Sequence, residues 1–204
     1  MAVRARMGGE GTTHMTTTQR VYAMLGNESL WEVASRCHDL FHRSKIADSI
    51  CGGVAVCLHG YQRNTTDINL IICQADSFNV KELLLAEGFH WDQEIKEFRS
   101  QSGIAVQFLI AGEKAGKGSE VVVPEPVGEL NVEQREGLSV VRLSRLIEMK
   151  LASGLGNLRR THKDFADVVE LIVNRNLDGS FSRCLHKSLR DTFRELVRSA
   201  RSDS

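Results

Sequence analysis

The chain has no excess charge of either sign: 26 basic residues balance 26 acidic ones over 204 positions. That balance removes the global positive field behind non-specific nucleic-acid binding, so any contact with a polyanion must be local. No apolar run approaches the ~20 residues of a membrane span, and the polar start lacks the apolar centre of a signal peptide; neither a membrane association nor export by that route is expected. The five cysteines, Cys37, Cys51, Cys57, Cys73 and Cys184, are odd in number and include no CxxC pair. A disulfide framework is therefore not expected, and the thiols read as reduced residues of a cytoplasmic protein. There is no HExxH motif, and His38 and His42, four apart on one segment, read as surface residues, so no zinc site is expected.

What is present suits a globular fold, with 42% hydrophobic and 25% charged residues. Residues 1–18, rich in Gly and Thr, read as a disordered tail. Residues 28–43 carry apolar side chains at helical spacing, and residues 46–50 read as a short strand. Gly52-Gly53 makes a turn that leads into a short helix, and residues 66–73 are a β-branched strand. A helix over 79–88 closed by Gly88 follows, then two strands joined near Ser102-Gly103. Residues 111–137 hold both prolines and five of the 17 glycines, which marks a long connection with room for a short strand at the three valines. Helical spacing resumes over 144–153, 160–175 and 182–199, the last with Ser182 as N-cap. The expected organisation is an α+β domain over 19–137, with a mixed sheet flanked by helices, and a C-terminal helical bundle over 138–204, with a cleft between them.

Gly52 and Gly53 allow backbone N–H groups to approach phosphate oxygens closely, although a plain tight turn explains the pair equally simply. Arg63, Thr65 and Thr66 follow, just before the strand. There, alternation sends Asp67, Asn69 and Ile71 to one face and Ile68, Leu70 and Ile72 to the other. Asp67-x-Asn69 on one face is how oxygen ligands approach a hard cation, while a strand-end turn former is the bland alternative for Asp67.

The run from Gly52 to Leu70 resembles the nucleotidyltransferase superfamily typified by DNA polymerase β. In particular it resembles the small prokaryotic nucleotidyltransferase-like proteins, some of them linked to toxin–antitoxin systems. Gly52-Gly53, His59-Gly60, Arg63, Thr65 or Thr66 and Asp67-Ile68 carry the likeness. It continues in the strand IAVQFL, in Lys150 and in residues 160–167. The resemblance implies a mixed-sheet nucleotidyltransferase fold, a nucleoside triphosphate and Mg²⁺ as ligands, and Asp67 as catalytic metal ligand. It also implies nucleotide contacts from Gly52, Gly53, Arg63, Thr65 and Lys150.

At the positions where the family places its second and third carboxylates, this chain has Asn69 and, by an ungapped reading of the strand, Gln107. Both amides keep a neutral oxygen for a metal but lose the charge and the general base, which should lower turnover by at least roughly a thousandfold. Glu94 or Glu97 could stand in for the third acid, with an exposed hairpin charge as the plainer reading of each. One Mg²⁺–nucleotide could still be held by Asp67 and Asn69. On a helical wheel Lys150 emerges amid Leu143, Leu146 and Ile147. It either lays its stem over the core with its head in water or aims into the cleft. The last helix carries a stripe of Arg183, Lys187, Arg190, Arg194, Arg198 and Arg201, a solvated face or a surface for RNA or a partner protein.

Three functions follow from these residues. The first is a catalytically degenerate nucleotide-binding protein with a regulatory or interaction role. The second is an active Mg²⁺-dependent enzyme transferring NMP to a small molecule, a tRNA or a protein. The third is a purely structural partner of a toxin or another protein.

Overall fold

The computed structural model describes residues 28–202. The tail expected over 1–18 lies outside the described residues. Helix α1 (Glu28–Arg43) leads to strand β1 (Asp48–Cys51), which turns at Gly52 into the short helix α2 (Gly52–Leu58). Strand β2 (Asp67–Ile72), helix α3 (Ser77–Ala86) and strands β3 (His90–Asp92), β4 (Glu97–Arg99) and β5 (Ala105–Ile110) follow. A hairpin of β6 (Val132–Arg135) and β7 (Leu138–Val141) precedes helices α4 (Leu143–Gly156), α5 (Leu158–Asn174) and α6 (Arg190–Ser202).

All seven strands form one mixed sheet in the order β3-β4-β5-β2-β1-β7-β6. β2 runs parallel to β5 and β1 parallel to β7, while the other neighbours are antiparallel. The alternation read in β2 is real: Ile68, Leu70 and Ile72 are buried, whereas Asp67 and Asn69 are half-buried. The Ile68 face is covered by α1, whose Phe41 meets Phe108 of β5 with ring centroids 6.1 Å apart. On the Asn69 face, α4 closes over the sheet and is buried nearly all round, from Leu146 through Ala152, as a helix between two layers must be. Buried residues of the sheet and of the C-terminal helices belong to one contiguous core, from Leu30 to Val197.

Four local expectations need correction. The connection expected over 111–137 ends in the β6–β7 hairpin, whose second strand lies beyond the boundary drawn at 137/138, in the unit expected to be a helical bundle. Its two-residue turn, Glu136-Gly137 with both φ values positive, is the geometry that matches the twist of paired strands. The three valines make only an isolated bridge, between Lys114 and Val122. The final helix starts at Arg190 rather than 182: residues Gly179–Cys184 and Lys187–Leu189 are 3₁₀ turns, and Ser182 is buried with its hydroxyl donating to Gly179 O. Arg183 and Lys187 therefore do not share a helical stripe with the later arginines. His38 is no free surface residue either, because its Nδ1 lies 3.0 and 3.1 Å from the oxygens of the buried Asp48. That hydrogen bond outweighs burial and raises the imidazole pKa above its ordinary value.

Candidate functional site

Three neighbouring strands place the candidate side chains in rows. The parallel register of β2 and β5 sets Asp67 beside Ala105 and Asn69 beside Gln107. One step beyond the Phe98–Val106 pair of β4 and β5, Glu97 stands next to Gln107, whose Nε2 donates to Glu97 Oε2 at 2.8 Å. Glu97 is 5% exposed and pairs with Arg99, so it is a buried member of this row and not the exposed hairpin charge expected of it. Asn69 Nδ2 donates to Asp67 Oδ2 at 2.7 Å, and Thr65 Oγ1 donates to Asp67 Oδ1 at 3.2 Å. Each oxygen of the Asp67 carboxylate thus already accepts a hydrogen bond from a neutral neighbour.

The glycine pair is what lets these side chains reach Asp67. Gly52 has φ +64, and a Cβ there would lie 2.9 Å from Asn69 Cβ and Nδ2. A Cβ on Gly53 would lie 2.5 Å from Thr65 Oγ1, inside any real contact distance. Both positions therefore have a packing requirement for glycine, whatever sits above the turn, and a side chain at either strains the fold first.

A cavity of about 270 Å³ lies between the sheet and α4. Gly52, Asn69, Gln107, Leu146, Met149 and Lys150 contribute to its wall. Cys51 also lines it, but burial raises its thiol pKa to about 12, which keeps it protonated. Asp67 faces a separate open depression, shared with Glu97, Arg99 and Gln107.

Lys150 contributes to the cavity wall, and its head is neither in water nor unpaired. It is 6% exposed, and its Nζ lies 2.6 Å from Asp167 Oδ2 and 3.0 Å from Asp164 Oδ1. Arg63 donates to the same Asp167 in a two-pronged pair, from Nε at 2.6 Å and Nη2 at 2.9 Å, and Arg160 Nε reaches Asp164 at 3.2 Å. Burial pushes the Asp164 carboxyl up, but the Lys150 charge and hydrogen bonds from Ser153 and Lys150 hold it below the usual carboxylate range. The charge cluster ties the loop after α2 to both α4 and α5.

No protein-family model and no curated protein matches the chain. Solved structures do match. ANT(2'')-Ia, in complex with adenylyl-2''-tobramycin, is similar with a TM-score of 0.54 and 11% identity, over 84% of this chain and 98% of its own. An antigenic nucleotidyltransferase-like protein from Paracoccidioides brasiliensis gives 0.52 and 15%, over 84% and 88%. The chain has the nucleotidyltransferase fold.

Within this nucleotidyltransferase fold, the residues singled out from sequence separate into two sets. Asp67, Asn69, Gln107, Gly52, Gly53 and Thr65 gather at the sheet ends, in contact or in register. Arg63 and Lys150 instead meet across Asp167. The 160–167 run singled out from sequence holds Asp164 and Asp167, but nothing in it links them to either cation, since partners 14 to 104 positions apart leave no local signal. Among the described residues no group of three His, Cys, Asp or Glu side chains converges to hold a metal ion. The row holds two carboxylates, Asp67 and Glu97, each hydrogen-bonded to an amide, Asn69 and Gln107, which is fewer than the several carboxylates a two-cation transfer centre needs to offset its charge. No helix among the described residues is long and apolar enough to cross a membrane.

Proposed function

We propose that this chain is a catalytically degenerate member of the nucleotidyltransferase fold that binds a nucleotide and acts by regulation or interaction. The observation that carries this reading is the Asn69 Nδ2 hydrogen bond to Asp67 at 2.7 Å. An amide donor satisfies the carboxylate where a second carboxylate would have to share a cation with it. The cavity beside Asn69 sets two amides and the charged Lys150, Arg160 and Asp164 against apolar Phe108, Leu146 and Met149, a mixed wall that suits a flat ligand body with polar edges. A Mg²⁺ ion in the depression beside the cavity would find only Asp67 and Glu97 as carboxylates, each already hydrogen-bonded to an amide, and would be held weakly. A protein partner, a toxin among the candidates, or an RNA would dock elsewhere, for instance on the basic last helix. There Arg194 pairs with Asp191, and Arg190, Arg198 and Arg201 donate to backbone carbonyls, so docking there competes with intramolecular contacts.

Binding and transfer are tested together. The wild-type protein should bind Mg²⁺–nucleoside triphosphate weakly in calorimetry and label neither itself nor a lysate of RNA and protein with radioactive nucleotide above background. Asn69→Asp should bring two carboxylates to hydrogen-bond distance. Mg²⁺ should then raise the thermal midpoint of the variant by several degrees and leave the wild type unmoved. Strong Mg²⁺-dependent labelling by the wild type, abolished in Asp67→Ala, establishes the active transferase instead.

A further inference from the structure

The cavity opens toward a second depression lined by Gly116, Lys117, Gly156, Arg159 and Arg160, and the two share Ser153 and Arg160. None of the residues lining this outer depression carries a carboxylate. Lys117 and Arg159 form no ion pair and no side-chain hydrogen bond among the described residues. Arg160 touches Asp164 through Nε alone, with its side chain 59% exposed. In a chain of zero net charge, three cations around a depression with no carboxylate in its own lining are a local feature and not part of a general basic surface.

Their positions are fixed by the backbone. A Cβ on Gly116 would lie 2.0 Å from Ala152 O, and a Cβ on Gly156 would lie 2.5 Å from Lys117 N. Two glycines thus let the 115–118 segment press directly onto the last turn of α4. Hydrogen bonds from Ala115 N to Val121 O and from Ser119 N to Gly116 O hold the segment's other side. Lys117 is carried on an ordered rim. Folding does not account for Arg159: it stands in the first turn of α5, which contains no acidic residue, where a cation opposes the helix dipole, whereas Arg160 also helps to compensate the buried Asp164.

We propose that Lys117, Arg159 and Arg160 form an anion-binding mouth that takes the polyphosphate of the ligand whose body occupies the cavity. The inference rests on the nucleotide-binding reading for that body and on the mouth's own charges for the phosphates. Arg63 and Lys150, the cations that the family resemblance assigns to the nucleotide, are each engaged by a buried carboxylate. Lys117 and Arg159 have no acidic partner, Arg160 meets Asp164 through Nε alone, and arginine's planar fork matches phosphate oxygens in pairs.

The full chain is titrated by calorimetry at low salt with three probes: inorganic tripolyphosphate, the four uncharged ribonucleosides and their triphosphates. Lys117→Ala/Arg159→Ala should weaken tripolyphosphate at least tenfold and leave nucleoside binding as it was. The charge-matched control Arg43→Ala/Lys187→Ala should change neither. Equal weakening by both double variants, or none by the first, overturns the mouth. If triphosphates bind the wild type and the mouth variant alike, the mouth falls while the nucleotide-binding reading stands. Tripolyphosphate binding that is lost only in the mouth variant, with no nucleoside or triphosphate bound by the wild type beyond it, keeps the mouth and overturns the nucleotide. Binding of none of the probes overturns both.

Discussion

Two groups of cations flank the interior cavity and differ in what holds them. Arg63 and Lys150, on the inner side, are locked by Asp164 and Asp167, which are 1% and 2% exposed. Lys117 and Arg159, on the outer side, have no acidic partner, and Arg160 has one contact with most of its side chain in water. The inner carboxylates are a folding requirement: a cation taken out of water must be paired, so Lys150 cannot sit within α4 without them. The outer cations keep their hydration, cost the fold little, and remain available to an anion. Proximity to a cavity therefore does not identify a ligand-binding charge; its compensation does.

Removing one carboxylate makes the inner group resemble the outer one. Asp167→Ala takes from Arg63 both of its charged contacts and leaves Lys150 with Asp164 alone. Breaking a buried pair in this way costs about 3–5 kcal/mol. The loss should appear in urea unfolding as a large fall in midpoint, and Asp167→Asn should lose less. A loss under about 1 kcal/mol for Asp167→Ala would mean that the cluster is solvated and that the inner cations are as available as the outer ones.

Acid can introduce a further inner cation without a mutation. His59, fully buried, donates from Nε2 to Val141 O at 2.8 Å, and its Nδ1 has no hydrogen-bond partner, with Glu133 Oε1 3.7 Å away. Burial lowers its pKa from 6.5 to about 4. Below pH 6.5 the unfolded chain takes the proton first, so stability falls as pH drops and the loss is complete near pH 4. For this one group that amounts to about 3 kcal/mol. His59→Gln, which can keep the bond to Val141, should flatten the unfolding free energy between pH 6.5 and 4 relative to wild type. Parallel wild-type and variant curves would remove His59 from the account.

The inner and outer groups also differ in how far the sequence announced them. The sheet row was legible because strand alternation has period two. Asp67 and Asn69 had to share a face, and the ungapped reading that chose Gln107 matches its register beside Asn69. Helix α1 was legible for the same kind of reason, with its apolar residues at helical spacing over the full Glu28–Arg43 span. The charge cluster was not, since nothing in the spacing of Arg63, Lys150 and Asp167 says that three separate elements converge. Glu97 was misread because a hairpin only three residues per strand looks exposed until β5 is known to pair with it. The β6–β7 hairpin did leave a signal, a Glu-Gly turn before a Leu-Ser-Val-Val run, that the surrounding glycine-rich stretch obscured.

The smallest expected effect sharpens the comparison most. If the outer cations serve no folding purpose, then Lys117→Ala should leave stability within about 0.5 kcal/mol of wild type, as surface substitutions away from packed features do. Arg159→Ala should go further and stabilise the protein by a few tenths of a kcal/mol up to about 1 at low ionic strength, because it removes a positive charge from the first turn of α5, where the helix end is itself positive. The gain is electrostatic and exposed to solvent, so 1 M salt, with a Debye length of about 3 Å, should erase it. Urea unfolding of Arg159→Ala at low and high salt therefore gives two numbers whose difference is the signature. A gain that persists in salt would point to helix propensity instead, since alanine is the better helix former. A loss above about 1 kcal/mol would show that Arg159 is structurally engaged after all, and the distinction between spent and available cations would no longer separate the two sides of the cavity.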